Sequence, residues 1–261
     1  MTDWRELVGP LAASSLGSGE RVVFCHGFTQ TSTSWKPVAE RVAALGYESV
    51  VVDLPGHGGS TGVRADLRRA ADMLTTMFGP ASYVGYSLGG RLCLQAALLY
   101  PATVRRLAMI GANPGIVDDM ARTARVDSDA VLANELLRDG VPAFLERWMS
   151  QPLFGGGPPD PADFADRCRN TADGLSGSLR LAGTGAQVAL WSRLPELMMP
   201  TLVMAGERDT KFVAIGRQLA AAVPEAVFAS IADADHAAHL QQPEAVLARL
   251  TTWLRIPRRL P

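Results

Sequence analysis

Short apolar runs alternate with longer segments of helical spacing along most of the chain. Runs of strand composition occupy residues 21–25, 48–53, 81–84, 105–111, 200–206 and 226–231. Apolar positions three and four residues apart predict helices over 35–45, 63–78, 88–100, 212–222 and 243–254. Strands that alternate with helices are typical of a parallel sheet covered on both faces. The pattern therefore predicts an α/β fold, with a mostly parallel sheet flanked by helices.

Two stretches depart from this alternation. Residues 1–20 are rich in Ala, Ser and Gly toward their end and are predicted to hold no more than one marginal strand. From about residue 116 to residue 193 the alternation stops, and short helical segments surround a break at 155–159. We expect a single domain over residues 1–261, with a helical lid inserted at about 116–193. In the regular part, Ser34 is the expected cap of the first helix and Gly46 its end.

Composition and charge narrow the range of partners. The 261 residues, 48% of them hydrophobic, are enough to bury one large core. A formal net charge of −1 argues against a general affinity for nucleic acid or for an anionic membrane, so the expected partner is a small molecule. Residues 1–6 are polar and contain no basic start followed by an apolar run, which argues against a secretory signal or a membrane span. We expect a monomer in the cytoplasm.

The cysteines and the loops give no sign of a metal or a cofactor. Cys25, Cys93 and Cys168 are far apart in the sequence and lack the spacing of metal ligands, so we interpret them as buried thiols. The chain contains neither a phosphate loop nor a nucleotide-binding fingerprint. No cofactor and no metal are therefore expected.

A serine framed by glycines lies where an apolar strand turns into an apolar helix. Residues 85–89, Gly-Tyr-Ser-Leu-Gly, fit the G-x-S-x-G elbow, in which a strained strand-to-helix turn exposes the serine hydroxyl above the sheet edge. Glycine suits both outer positions because a side chain there would collide with the neighbouring helix or strand. The pattern predicts a nucleophile position at Ser87; the alternative is a plain turn whose serine caps the helix.

Loops beyond the carboxyl ends of parallel strands meet at one edge of the sheet. Those loops hold Ser87, Asp209 and His236, whose chain order is that of an α/β-hydrolase triad. The chemistry requires a base for the serine proton and a carboxylate that orients the base. The competing histidines and acids are interpreted as structural groups or as solvated loop charges: His26, His57, His239, Glu207, Asp233 and Asp235.

An oxyanion hole would need two backbone N–H donors near the serine. Leu88 follows the serine directly, and Phe28 lies in the loop after the first clear strand. We predict that the N–H groups of these two residues form the hole.

The elbow, the segments 26–29 and 53–60, and the loops of Asp209 and His236 resemble the α/β-hydrolase superfamily over essentially the whole chain. A narrower resemblance is carried by Arg91 and by residues 113–115, 122–129, 144–148, 151–154 and 181–185. There the chain is similar to the 2-succinyl-6-hydroxy-2,4-cyclohexadiene-1-carboxylate synthases of menaquinone biosynthesis, which eliminate pyruvate.

The narrower resemblance implies an unusual use of the triad. Ser87 and His236 would remove a proton beside the succinyl ketone of 2-succinyl-5-enolpyruvyl-6-hydroxy-3-cyclohexene-1-carboxylate. The oxyanion hole would hold the enolate, and pyruvate would leave the ring as its enol. Because the substrate is a polycarboxylate, fixed guanidinium groups suit its site.

Several residues are candidates for contact with that substrate: Tyr86, Arg91, Arg122, Arg125, Trp148 and Arg167. Arg91 lies one helical turn after Ser87 and could present its guanidinium beside the serine, the alternative being a purely structural arginine. Each lid arginine could equally be a solvated surface charge, and Trp148 could be ordinary core.

Two other classes of function stay open. A serine esterase, thioesterase or carbon–carbon bond hydrolase of the same fold would form an acyl-enzyme with activated esters in a largely apolar pocket. A binding protein with a vestigial triad would hold a ligand without turning it over. Several arginines close to the Ser87 hydroxyl would favour the lyase over the esterase.

Overall fold

Within residues 3–256, the part of the chain that the computed structural model describes, eight strands form one sheet. The strands are β1 (Arg5–Leu7), β2 (Ala13–Gly17), β3 (Glu20–Cys25), β4 (Tyr47–Val52), β5 (Ala81–Tyr86), β6 (Val104–Ile110), β7 (Thr201–Gly206) and β8 (Ala226–Ile231). Their order across the sheet is β1-β2-β4-β3-β5-β6-β7-β8, and β3 to β8 pair in parallel. The predicted α/β fold class is confirmed. Residues 1–2 and 257–261 of the predicted domain lie outside the described residues.

The expectation of no more than one strand before residue 21 was wrong. Both β1 and β2 form, and they pair antiparallel with each other and with β4. The sequence of β2, Ala-Ser-Ser-Leu-Gly, lacks the bulky side chains that normally mark a strand. Its pairing with the buried strand β4 satisfies its backbone groups, and Ser15 is fully buried there.

Ten α-helices follow the strands or link them within the described part of the chain. They are α1 (Lys36–Ala44), α2 (Leu67–Phe78), α3 (Leu88–Leu99), α4 (Asp119–Asp139), α5 (Val141–Met149), α6 (Pro161–Arg167), α7 (Ala172–Ala182), α8 (Thr210–Ala222), α9 (Ala238–Gln241) and α10 (Pro243–Leu254). Short 3-10 helices occupy Ser32–Trp35, Gly58–Ser60, Pro152–Phe154 and Trp191–Glu196.

The side chains of each central strand point alternately to two apolar cores. In β3, Val23 and Cys25 join the core that contains α2 and α3, whereas Val22 and Phe24 join the core that contains α1 and α10. Both faces of the sheet are therefore covered, and its functional groups lie at the strand ends.

Two helix starts differ from the sequence expectation. Ser34 does not cap the first helix, because its hydroxyl donates to the carbonyl of Thr31, and Thr31 caps the preceding 3-10 turn. The helix predicted from residue 63 begins at Leu67, since the Asp66 carboxylate accepts from the Arg69 N–H. A competing cap therefore decides where α2 begins, whereas α1 begins at Lys36 without a side-chain cap.

Residues 119–196, which we term the helical insert, lie between β6 and β7. Helices α4 to α7 of the insert share an apolar cluster of their own that includes Phe144, Leu145, Leu175 and Leu179. Phe28, from the loop after β3, packs against this cluster. The insert thus covers the loops at the carboxyl end of the sheet. None of the helices in residues 3–256 combines the length and apolar character needed to cross a bilayer.

Candidate active site

Ser87 occupies a strained turn between β5 and α3. Its φ is +49°, in the left-handed region that costs a non-glycine residue about 1–3 kcal/mol. The turn needs glycine on both sides. A Cβ on Gly85 would lie 2.3 Å from the Gly89 carbonyl oxygen, and a Cβ on Gly89 would lie 2.2 Å from that of Cys25. Although Ser87 precedes α3, its side chain makes no capping hydrogen bond, so the structure does not support the reading as a plain cap.

The Ser87 hydroxyl instead lies beside an imidazole that is paired with a carboxylate. The Nε2 of His236 is 3.2 Å from Ser87 Oγ, and its Nδ1 is 2.7 Å from Asp209 Oδ2. Because a carboxylate only accepts, Nδ1 carries the proton and Nε2 is left to accept from the serine. The structure therefore brings together the three residues that the chain order predicted.

Asp209 is held by the helix that it begins. Its second oxygen, Oδ1, accepts from the Phe212 N–H at the start of α8, at 3.2 Å. This hydrogen bond fixes the carboxylate at the end of β7. The ring of Phe212 lies 4.4 Å from the His236 ring and confines it on one side.

The competing histidines lie elsewhere, as buried and neutral groups. Burial lowers the pKa of His26 and of His239 and lowers that of His57 to about 3. The Nε2 of His26 accepts from the Leu54 N–H at 3.0 Å. His239 lies in α9, between the rings of Trp35 and Tyr86.

The competing acids also point away from His236. Asp233 pairs with Arg208, and the Asp235 carboxylate accepts from the Gln241 amide. Glu207 is exposed. Asp209 is thus the acid that meets the imidazole.

Two backbone N–H groups face the same space as the serine. Phe28 and Leu88 both line the cavity that contains Ser87, and neither N–H has an acceptor among residues 3–256. The N–H of Gly89 donates to the His26 carbonyl at 3.0 Å, which ties the elbow to the loop that carries Phe28. The arrangement can hold an oxyanion between the two loops.

The cavity around Ser87 has a volume of about 150 Å³. Its lining includes four of the predicted substrate contacts, namely Tyr86, Arg91, Arg125 and Trp148. The largest share of the other lining residues comes from α7, the turn after it and the start of α8: Ser178, Leu179, Ala182, Gly183, Thr184, Lys211 and Phe212.

Arg91 is a buried cation with neutral partners. Its guanidinium donates to Gln187 Oε1 at 3.1 Å and to the Ala182 carbonyl at 2.8 Å, and among the described residues no carboxylate lies within 4.0 Å of it. Burial, followed by the neighbouring charge of Arg125, lowers the pKa of Arg91 to about 10, so the group stays charged at neutral pH. A buried positive charge without a counter-ion favours an anionic ligand.

Arg125 reaches the cavity from α4 of the helical insert. Its Nε donates to Asp129 at 2.7 Å, and Asp129 also accepts from the Gly185 N–H at 3.2 Å. A Cβ on Gly185 would lie 2.5 Å from the Val126 nitrogen, so glycine allows the turn to approach α4. That close approach places Thr184 in the cavity wall.

Aromatic groups form the remaining wall. Trp148 lies 5.4 Å from the ring of Phe28 and 6.0 Å from that of Phe154, centroid to centroid. Its indole N–H is buried and has no acceptor within the described chain. The ring of Tyr86 lies 4.3 Å from that of His239, centroid to centroid, and burial raises the pKa of its phenol, so it stays protonated and can donate.

Two predicted substrate contacts lie outside this cavity. Arg122 pairs with Asp119 in the first turn of α4 and is about 41% exposed, because that face of the helix points to solvent. Arg167 is buried, donates to Thr29 and pairs with Asp163. It lines a neighbouring cavity of about 510 Å³ instead. Contact of these two arginines with the substrate stays a prediction.

Sequence reasoning missed Lys211, which lines the serine cavity, and Gln187, which accepts from Arg91. Lys211 lies two residues after Asp209, at the start of the helix that Asp209 begins. Its nearness to the triad acid was a usable signal. Gln187 gave none, because its role depends on how the turn after α7 packs against Arg91.

Comparison with known proteins finds a matching family and several similar chains. Residues 22–249 match the sequence model of the alpha/beta hydrolase family. The chain is 32% identical over 243 residues to the 2-succinyl-6-hydroxy-2,4-cyclohexadiene-1-carboxylate synthase of Salmonella heidelberg (strain SL476), covering 90% of this chain and 94% of the relative. It is 33% identical over 240 residues, 87% of each chain, to a Bacillus subtilis (strain 168) protein provisionally given the same name.

Among solved structures, MenH from S. aureus superposes with a TM-score of 0.88 at 26% identity, over 93% of this chain and 97% of that one. A thermophilic esterase from Thermogutta terrifontis superposes with a TM-score of 0.83 at 23% identity, over 97% of this chain and 98% of that one. The second likeness shows the shared fold alone.

Proposed function

The chain belongs to the α/β-hydrolase family, and within it we propose that it is a carbon–oxygen lyase of menaquinone biosynthesis. Its substrate would be 2-succinyl-5-enolpyruvyl-6-hydroxy-3-cyclohexene-1-carboxylate, from which it eliminates pyruvate to give 2-succinyl-6-hydroxy-2,4-cyclohexadiene-1-carboxylate. The names of the relatives support this product. The observation that carries the proposal is the Arg91 guanidinium, which lines the Ser87 cavity without a carboxylate partner.

The proposed reaction begins with proton abstraction. Ser87 Oγ takes the proton beside the succinyl ketone while His236 Nε2 takes the hydroxyl proton, across the observed 3.2 Å. The C–H electron pair moves to the ketone oxygen and forms an enolate. The N–H groups of Phe28 and Leu88 stabilise that oxygen, since they lack acceptors among the described residues.

Elimination then completes the reaction. The enolate electrons return to form a double bond between ring carbons 2 and 3. The existing ring double bond moves from carbons 3 and 4 to carbons 4 and 5, and the carbon–oxygen bond between carbon 5 and the pyruvyl group breaks. The leaving enolate takes the proton held by His236 and becomes pyruvate. The proton and the electrons balance without an oxidant or a reductant, so the scheme uses only side chains and backbone of this chain.

The cationic side of the cavity would hold the substrate carboxylates. An arginine guanidinium has about five N–H donors, and two of those of Arg91 are used by Gln187 and Ala182. The other donors can bind a ligand. Arg125 and Lys211 add positive charge to the same wall. Guanidinium groups bind carboxylates through paired hydrogen bonds.

A direct assay tests the proposal. Purified protein is mixed with the cyclohexene substrate, and pyruvate is measured by coupling to lactate dehydrogenase. We expect pyruvate release that is lost in Ser87→Ala. No release, under conditions in which the Salmonella heidelberg synthase releases pyruvate, would overturn the proposal.

A hydrolase of the same fold is the second candidate, because the observed Ser87–His236–Asp209 geometry also suits acyl transfer. The hydrolase would form an ester on Ser87 when treated with a p-nitrophenyl ester. Mass spectrometry of the intact protein separates the two: a stable or transient acyl adduct with rapid ester turnover favours the hydrolase, and its absence alongside pyruvate release favours the lyase.

A further inference from the structure

Thr29, next to the candidate oxyanion donor Phe28, has an unfavourable backbone conformation. Its φ is +70°, and it is fully buried. A β-branched residue in the left-handed region is a genuine outlier, at a cost of about 1–3 kcal/mol. The N–H of Gln30 donates to the Gly27 carbonyl at 3.2 Å, so Phe28 and Thr29 are the central residues of a tight turn. A positive φ at the second central position is the hallmark of a type II turn, where glycine is normal.

Every polar group of Thr29 is held by a side chain from another segment. Its N–H donates to His57 Nε2 at 3.3 Å. Its carbonyl accepts from Asn170 Nδ2 at 2.7 Å, and its hydroxyl oxygen accepts from Arg167 Nη1 at 2.6 Å. Strained residues persist only where the surroundings over-determine them, and these three contacts do so here.

Asn170 is the centre of this arrangement. It is 5% exposed and uses its whole amide: Nδ2 also donates to the Arg167 carbonyl at 2.9 Å, and Oδ1 accepts from the Gly58 N–H at 2.8 Å. Asn170 therefore joins the end of α6 to the loops that follow β3 and β4. His57 is suited to its part because burial keeps its imidazole neutral and able to accept.

If Thr29 lost its positive φ, the position of the neighbouring Phe28 N–H would change. A tight turn loses a positive φ by reversing the peptide between its two central residues, here Phe28 and Thr29. The reversed peptide carries the Phe28 carbonyl and the Thr29 N–H, so the Thr29 N–H would leave His57 and the ψ angle of Phe28 would change. This change displaces the residue whose own N–H faces the cavity. The loop after β3 is joined to the elbow through the Gly89 N–H, so the displacement would occur next to Ser87.

We propose that Asn170, with Arg167, is a positioning residue: by holding Thr29 in the left-handed conformation, it aims the Phe28 N–H at the oxyanion. The helical insert, through the end of α6, thereby completes the oxyanion hole of a serine that lies outside it. The inference rests on the proposed function in one respect, the use of the Phe28 N–H as an oxyanion donor.

A boronic acid probes the oxyanion hole without the natural substrate. The boron of phenylboronic acid accepts a lone pair of Ser87 Oγ, the hydroxyl proton passes to His236, and the tetrahedral adduct places an oxygen in the hole. Affinity is measured by calorimetry for the wild type, Asn170→Asp and Asn170→Ala. The Asp variant keeps the shape and the Gly58 hydrogen bond but loses the donor to Thr29, so it carries the test if Asn170→Ala does not fold.

We expect about a tenfold or greater loss of boronate affinity in both variants, the equivalent of about one hydrogen bond. The matched control is Asn134→Ala, the same substitution at an exposed asparagine of the insert whose side chain accepts from Arg180, and its affinity should equal that of the wild type. Wild-type affinity in Asn170→Asp overturns the inference. Failure of the wild type to bind the boronate overturns it too, because the hole is then absent.

A double-mutant cycle shows whether the effect passes through Thr29. Glycine adopts a positive φ without strain, so Asn170→Asp should cost clearly less boronate affinity in a Thr29→Gly protein than in the wild type. An equal loss in both backgrounds overturns the inference. Pyruvate release is measured on the same samples: if the wild type binds the boronate but releases no pyruvate, the proposed function fails and the positioning role stands.

Discussion

Ser87 combines a strained backbone with an oriented base. The left-handed turn lifts its hydroxyl toward His236, while Gly85 and Gly89 leave room for the crossing of β3, β5 and α3. The strain is retained because the turn lies between a central strand and a buried helix. The backbone conformation that places the Ser87 hydroxyl beside His236 therefore lowers the stability of the fold.

Substitution of Ser87 by glycine or by alanine separates the effect of the hydroxyl on activity from the effect of the strained backbone on stability. Both variants should lose at least about a thousandfold in kcat, because the hydroxyl that moves the proton is gone. Ser87→Gly should be about 1 kcal/mol more stable to urea than Ser87→Ala, since glycine tolerates a positive φ. Urea unfolding and the pyruvate assay measure the two effects. Equal stability of the two variants would contradict the strain.

Arg91 provides a second test at a single residue. Arg91→Lys keeps the charge but loses the planar fork, so KM for the cyclohexene substrate should rise by about tenfold or more. Arg122→Ala should leave KM within about twofold of the wild type, because the Arg122 side chain pairs with Asp119 at the surface. Steady-state kinetics over a range of substrate concentration measure both. A larger rise in KM from the Arg122 variant than from the Arg91 variant would place the anion site at the exposed face of α4.

The start of α8 is the element that concentrates most of the site. Asp209 begins the helix and orients His236, Lys211 lines the cavity, and Phe212 packs on the imidazole. A helix N-terminus also favours negative charge near it. The acid that orients His236, a cation of the cavity wall and a ring that confines the imidazole thus all come from the start of one helix.

Lys211 should strengthen binding of an anionic substrate without taking part in the proton transfer. Lys211→Ala is expected to raise KM several-fold and to leave kcat within about threefold, with a smaller difference from the wild type at high salt. The chain has one other lysine, Lys36, which packs over Trp4 on another part of the surface. Lys36→Ala is therefore the matched control. A fall in kcat alone would assign Lys211 to the chemistry instead.

At the level of elements, the sequence predicted what depends on local pattern. The strands from β3 to β8 and helices such as α10 follow from apolar periodicity, and the order of Ser87, Asp209 and His236 follows from the loops between them. Strand β2 was missed because its small side chains carry no strand signal, and its existence depends on pairing with β4. The start of α2 was displaced because Asp66 supplied its cap, and Thr31 capped a 3-10 turn that the apolar pattern did not predict.

The site was predicted less completely than the fold because side-chain direction depends on packing. Arg122 and Arg125 are one helical turn apart in similar sequence, yet of these two arginines only Arg125 lines the serine cavity. The partner that separates them, Asp129, is fixed by the turn after α7. The positive φ of Thr29 has no sequence signal, because threonine does not favour that conformation.

Across the whole molecule, three buried histidines make stability depend on pH. Burial lowers the pKa of His26, His57 and His239 in the folded chain, so the unfolded chain binds protons that the folded chain does not. Their contribution is complete above about pH 6.5, the usual histidine pKa, and is lost as the pH falls below it toward the folded values.

The free energy of unfolding should therefore fall as the pH drops below about 6.5. His57, whose pKa is lowered to about 3, should contribute roughly 1 kcal/mol for each pH unit, and His26 and His239 should act in the same direction. Urea unfolding at pH 7.5 and at pH 5.5 measures the difference. His57→Gln should reduce this dependence on pH. A free energy that is the same at both pH values would show that these imidazoles accept protons in the folded protein.

The position of the helical insert, between two paired strands, allows the insert to be replaced without a change in the sheet. β6 and β7 are direct neighbours in the sheet, pairing from Leu107 with Thr201 to Ile110 with Met204, so the segment between them leaves and returns at one place. Ser87, Asp209 and His236 all lie outside it. The segment can therefore be treated as a cassette, a piece that could be replaced by one suited to another substrate while the pairing of β6 with β7 stays the same. Asn170 sets the condition for such an exchange: an incoming cassette must bring its own amide for the Thr29 carbonyl.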